Sequence, residues 1–137
     1  MAIAGALEEN RAHDNLTVRA FKHLVPELHN PDSGRLDAKQ IAQFFGLPLT
    51  TIAQAIDKSG SALHKTPDSA AIQSELAVFQ RIATALLHML GSAQNSRIWL
   101  NAPNPELSGQ TPVELITVGK GVIVAELLED VLLGMPG

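Results

Sequence analysis

Five histidines, a group of three carboxylates and one Gly-Lys-Gly tripeptide are the parts of this chain whose chemistry could be catalytic. His13, His23, His29, His64 and His88 could hold a metal or move protons. Metal ligands on one helix face stand three or four residues apart, and no two of these histidines are so spaced. His88 lies among Leu86, Leu87, Met89 and Leu90, which points to a partly buried, hydrogen-bonded histidine and not to a ligand. Gly119-Lys120-Gly121 lacks the further glycine and the Lys-Ser/Thr pair of a loop that cradles phosphate, and no serine sits in a nucleophile elbow. No catalytic residue, metal ligand or cofactor site is expected. Glu126, Glu129 and Asp130 then form either a solvated helix face or a patch that meets a basic surface on a partner.

The elements that carry these residues are helical. At 137 residues the chain suits one domain or two small modules sharing a core. Apolar residues make up 45% and charged ones 18%, while aromatics are only four Phe and one Trp, so the core must be aliphatic. Cysteine is absent, which excludes disulfides and thiolate metal sites and agrees with a cytoplasmic location. The longest apolar stretch, Ile82 to Leu90, is interrupted by Thr84 and His88 and is too short to span a bilayer. Met1 to Leu7 lacks a basic n-region and runs into Glu8 and Glu9, unlike a secretion signal. Charge is uneven: residues 1–65 hold seven Lys/Arg against seven Asp/Glu, and residues 66–137 hold three against seven. The acidic excess is therefore C-terminal.

Leu16, Ala20, Leu24 and Leu28, with Val18, Phe21 and Val25 beside them, predict helix from Ala6 to about Leu28. Asn30-Pro31-Asp32-Ser33-Gly34 reads as a turn. From Asp68 to Leu90, apolar residues recur at threes and fours, with Thr66 or Asp68 as N-cap, Pro67 in the first turn and Gly91 as C-cap. Such a helix would be the spine of the molecule. No strand is expected, so the fold class is all-α.

Between the turn and the spine, residues 36–58 have the pattern of a helix-turn-helix. Two steeply crossed helices need a small residue at their contact, a glycine in the turn and apolar anchors on each side. Ala42, Gly46 and the set Ile41, Phe45, Leu47, Ile52 and Ala55 satisfy this. If the second helix, Leu49 to Asp57, enters a major groove, Thr50, Thr51 and Gln54 face the DNA, with Arg35, Lys39 and Lys58 as positioning charges. The competing reading is a helical hairpin that only packs. It draws support from the lack of arginine on the second helix, from Asp57, and from Pro48 where a Ser or Thr cap is common.

The C-terminal forty residues are the most specific part. Arg97-Ile98-Trp99-Leu100-Asn101-Ala102-Pro103-Asn104 leads to Leu107 and Gly109. Thr111-Pro112-Val113-Glu114 is nearly a complete helix start, with Thr111 as cap, Pro112 in the first position and Glu114 placed to reach back. Gly119 to Gly121 breaks that helix near Val118, and Val122 to Leu133 resumes it before Gly134. Trp99, with Leu100, is expected in the core, locking the Pro103 to Gly109 loop. An apolar tail through Gly137 has reason to be received by a partner.

This order of parts resembles the toxin-binding domain of Xre/MbcA/ParS-type antitoxins, and residues 36–58 resemble, more loosely, the helix-turn-helix of the same family and of Xre/Cro-type repressors. Trp99, Leu100, Pro103, Asn104, Gly109, Pro112, Leu115, Gly121 and Gly134 match the family motif. The resemblance implies three regions: an N-terminal arm and helix-turn-helix over residues 1–66, a central helix over 67–96 and a toxin-binding domain over 97–137. It further implies a RES-domain toxin that consumes NAD as partner, inhibition by occlusion of the toxin's active-site entrance, a homodimer, and binding of the operon's own promoter DNA. Direct contact is expected from the Asn101 to Gly109 loop, including Asn101, Pro103 and Asn104, from the exposed face of the last helix, including Glu126, Glu129 and Asp130, and from Leu133, Gly134, Met135, Pro136 and Gly137. Two alternatives stay open: a stand-alone helix-turn-helix transcriptional regulator whose C-terminal domain dimerises, and a small enzyme, against which the lack of paired catalytic groups counts.

Overall fold

The structure, a computed structural model, describes residues 25–134. The predicted N-terminal helix lies mostly outside them, as do Met135, Pro136 and Gly137. Among the described residues there are seven α-helices and no strand: α1 (Ala38–Phe45), α2 (Leu49–Ala55), α3 (Gly60–Lys65), α4 (Gln73–Leu90), α5 (Ala93–Leu100), α6 (Pro112–Thr117) and α7 (Gly121–Gly134). Short 3-10 turns occupy Pro26–Leu28, Ala70–Ile72 and Pro105–Leu107.

The predicted turn before α1 is an Asx turn. Asn30 Oδ1 accepts the N–H groups of Asp32 and Ser33 at 2.8 and 3.2 Å, and Gly34 takes a left-handed φ of 75°. Asn30 Nδ2 donates to Asp37, whose buried carboxylate caps α1 by accepting from the N–H groups of Lys39 and Gln40. Ile41, Ala42, Phe45 and Ile52 are buried as the helix-turn-helix pattern requires, and Leu47 and Ala55 pack at the edge. Gly46 ends α1 in the left-handed region. Helix α2 is shorter than expected: Ile56 leaves helical geometry and Asp57 takes a φ of 58°. Its N-terminus has only Pro48 in front, so no side chain caps it.

The spine begins later than the sequence suggests. Pro67 lies outside the helix, with its carbonyl accepting the Ala38 N–H at 2.8 Å, and Asp68 is drawn to Arg35 at 3.6 Å. Neither Thr66 nor Asp68 is an N-cap of the spine: Thr66 closes the C-terminus of α3, its N–H and hydroxyl both donating to the Ala62 carbonyl, and Ser69 caps the 3-10 turn, accepting from Ala71 N–H. Gln73 then reaches back, giving its amide to the Leu36 carbonyl at 2.9 Å and accepting the Leu36 N–H at 2.8 Å. Gly91 ends α4 at a φ of 83°, as expected. The chain turns by 110° into α5, where Ser92 is the N-cap. Helix α3 has no periodic apolar signal in the sequence. Its cap, Ser59, is clear, but Leu63 is its one buried residue, too little for a periodic signal.

One continuous cluster of buried side chains runs through all three regions of the chain. Phe45 meets Phe79 edge to face at a centroid distance of 5.4 Å, which joins the helix-turn-helix to the spine. Val124, Ala125 and Leu128 join α7 to the same core. No single helix among the described residues is long and apolar enough to cross a membrane.

Arg97 makes a second bridge. Its guanidinium donates to the Phe44 carbonyl at the end of α1 at 2.9 Å, and its stem covers Gly46 so closely that a Cβ there would lie 2.7 Å from Arg97 Cδ. Gly46→Ala therefore costs left-handed backbone strain of about 1–2 kcal/mol, plus the displacement of Arg97. In an Arg97→Ala background the cost should fall toward the backbone part alone. Urea unfolding of the two single variants and the double variant measures this, and fully additive losses would disprove the contact.

Candidate docking surface

The C-terminal module is set by local rules first. Asn104 starts the loop turn, its side chain accepting from Glu106 N–H at 2.9 Å while its carbonyl accepts from Leu107 and Gly109 N–H. Ser108 and Gly109 both have positive φ, and buried Leu107 pins the loop to the core. Asn101 bonds back to the Arg97 carbonyl at 2.8 Å. Of the three loop residues expected to touch a partner, Asn101 and Asn104 thus also hold the loop's shape, and Pro103 is simply exposed. Trp99 is half-buried and packs on the core beside fully buried Leu100, whereas its neighbour Ile98 is 63% exposed.

The capping box of α6 is complete. Glu114 N–H donates to Thr111 Oγ1 at 3.1 Å, and Thr111 N–H donates to Glu114 Oε1 at 2.8 Å. Helix α6 packs on α2, and Gly119 brings the bend after it to the Ala55 carbonyl, where an added Cβ would sit at 3.5 Å. Gly121 fits beneath Val78 and Ile82 of the spine.

Helix α7 buries Gly121, Val124, Ala125 and Leu128 and turns its other side outward. On that outer side Val122 and Ile123 are about half exposed and Leu133 is 86% exposed. Val118, at the bend, is 62% exposed. Glu126 and Asp130 are also exposed, but Glu129 is not a free contact residue. It accepts two hydrogen bonds from Arg81, at 2.6 and 2.9 Å, and so closes α7 onto α4. That pairing raises the guanidinium pKa, chiefly through the hydrogen bonds to Glu129, with a smaller attraction from Glu126. Both side chains are more than a third exposed, so the pair contributes at most about 1 kcal/mol. Burial of Leu128 outweighs it, since truncating such a residue to alanine costs about 2–5 kcal/mol.

The residues assigned to DNA divide differently. Thr50 and Gln54 are exposed on α2, Thr51 is half-buried, and Lys39 is exposed at the start of α1. Arg35 is exposed but partly engaged within the chain: its Nε donates to the Asp68 carbonyl at 2.8 Å. Lys58 stands 3.9 Å from Glu75. Neither pairing was legible, because the partners lie far off in sequence. Among the histidines, His29 bonds to the Val25 carbonyl, while His64 and His88 are exposed, which corrects the expectation that His88 is partly buried. Among the described residues no three of His, Asp and Glu gather as metal ligands. A shallow cleft of about 300 Å³ beside Arg97 is lined by Glu27, Gln40, Gln43, Phe44 and Ala93.

A small helical domain with an outward aliphatic surface, packed behind a helix-turn-helix, is the architecture of a protein-docking module. Residues 85–132 match the family model described as the antitoxin Xre/MbcA/ParS C-terminal toxin-binding domain. The match covers 48 of the chain's 137 residues and gives that stretch the character of this toxin-binding domain. In fold it is similar to a chain in the crystal structure of the M. tuberculosis MbcT-MbcA toxin-antitoxin complex, with a TM-score of 0.52 at 19% identity, over 73% of this chain and 94% of that one. No curated protein matches it. The match begins at residue 85, inside α4, so the family domain includes the last turns of the spine.

The capping box has a pH signature. Hydrogen bonds from the Thr111 N–H and, to a lesser degree, the Thr111 side chain hold the Glu114 carboxyl below its ordinary value of 4.5. A depressed folded pKa means that the stabilisation is complete above the ordinary value and is lost as pH falls through the lower, folded one. Melting curves from about pH 6 to about pH 3 should show a gap between wild type and Glu114→Gln that narrows at the acid end. A gap that stays constant would disprove the charged cap.

Proposed function

We propose that the protein is the antitoxin of a type II toxin-antitoxin pair that binds and occludes a RES-domain, NAD-consuming toxin through its C-terminal domain. The observation that carries this is the outward aliphatic set of Val118, Val122, Ile123 and Leu133 on or beside α7, all but Leu133 within the family's toxin-binding domain. Exposed aliphatic side chains concentrated on one short segment gain free energy when a partner covers them. The capped helices and the loop turn serve as the frame that presents them. In this reading Leu133 and the residues after it obstruct the toxin's active-site entrance.

Co-expression with a RES-domain protein encoded beside it tests the proposal. Val122→Asp/Ile123→Asp should leave the antitoxin folded, since both side chains face outward, yet weaken the complex on the order of a hundredfold. A chain truncated before Leu133 should still co-purify with the toxin but inhibit it incompletely. Full neutralisation by that truncated chain would remove the plugging step, and an unaffected double variant would remove the docking face.

The same reading has the helix-turn-helix serving dimerisation and promoter binding, favoured by the outward position of Thr50 and Gln54 on α2. Arg35 and Lys58 stand 3.6 and 3.9 Å from Asp68 and Glu75, so a phosphate contact by either competes with a neighbouring carboxylate. Retardation of DNA from upstream of the gene should be strongly salt-dependent, and Thr50→Ala/Gln54→Ala should reduce preference for that sequence by about tenfold. Absence of any retardation, or retardation that these substitutions leave unchanged, would instead favour a helical hairpin used only for packing.

A further inference from the structure

The outer face of α7 carries a charge pattern that its own stability does not explain. Val122, Glu126, Asp130 and Leu133 follow one another at spacings of four, four and three, so they line up as a single stripe, about 16 Å long at 1.5 Å per residue. All four are exposed. Glu126 and Asp130 are neighbours of like charge on a helix surface, an arrangement that weakens a helix. Asp130 also lies toward the C-terminal end of α7, where the helix dipole disfavours an anion, and no basic residue stands in the last turn to offset it. Glu129, on the flank of the stripe, is matched by Arg81. Glu126 and Asp130 make no hydrogen bond or ion pair among the described residues, and Arg81 reaches Glu126 only as a longer-range attraction.

We infer that this stripe is a cation seat: the toxin surface that docks on α7 presents a lysine or arginine between two apolar contacts, the cation on Glu126 and Asp130, the apolar groups on Val122 and Leu133. The inference rests on the toxin-binding reading above and specifies the chemistry of the partner's face. Apolar groups at both ends of the stripe shield the central charges from water once the surfaces meet, which strengthens the attraction and fixes the register of the docked surface. The acidic excess of residues 66–137, seven Asp/Glu against three Lys/Arg, extends the same preference for a basic partner beyond the stripe.

The full chain and the co-expressed RES-domain toxin provide the test, with affinity measured by titration calorimetry at low and high salt. Glu126→Gln/Asp130→Asn should weaken binding by about tenfold or more at low salt and flatten its salt dependence. The same substitutions should leave the melting temperature of the free antitoxin unchanged or raise it, because they remove a like-charge pair. Affinity thus falls while stability does not, which a merely structural role for these carboxylates would not produce. Asp32→Asn, in the exposed turn before α1, serves as a remote charge control. Affinity of the double variant within about twofold of wild type, or an equal loss in the Asp32→Asn control, overturns the cation seat while leaving toxin binding intact. A wild-type chain that binds no toxin at all overturns the toxin-binding reading itself.

Discussion

The enclosure of helix α4 is the constraint on which the remaining structure depends. Ile82, Ala83, Thr84, Ala85 and Leu86 are consecutive and all buried, and the four steps of about 100° between them pass right round a helix. A segment so enclosed needs cover on every side, and described segments both before and after it in the chain contribute to that cover. Phe45 of the helix-turn-helix meets Phe79, and Val124, Ala125 and Leu128 of α7 belong to the same buried cluster. Neither end has a complete core without the spine.

That arrangement explains how so small a module can present exposed aliphatic residues without collapsing around them. The positions that fix its shape are turned inward or are satisfied by backbone: the Thr111 to Glu114 cap, Gly121 under Val78 and Ile82, Leu107 beneath the loop, and Arg81 on Glu129. Val118, Val122, Ile123 and Leu133 are thereby held outward on a rigid support. The bend at Gly119 rests against the end of α2, so the proposed toxin-facing and DNA-facing elements adjoin.

What could be read from the sequence was what is decided locally. The α6 capping box, Gly46 and Gly91 each act within a few residues, and each forms as expected. The helix-turn-helix anchors were legible because their spacing alone places them on one face. What stayed hidden depends on partners distant along the chain. Pro67 and Asp68 suggested a helix start, but the carbonyl of one and the carboxylate of the other are claimed by Ala38 and Arg35, which leaves Ser69 and Gln73 to begin the spine. Glu129 was indistinguishable from Glu126 and Asp130 until Arg81, 48 residues away, was found on it. Arg97 looked like one member of a motif, and its bond to the Phe44 carbonyl spans 53 residues. The loop residue Asn104 matched the family motif, and its task as a turn-former became visible only with its hydrogen bonds.

The continuity of the buried cluster also bears on how long the molecule survives in a cell. Proteases act on opened chains, and a chain with one core offers little opening that spares either end. A partner that binds only the folded form at one end lowers the opened population of the other end as well, in proportion to its occupancy. Anything that settles on α7 would therefore protect the helix-turn-helix as well, and anything held by the helix-turn-helix would protect α7.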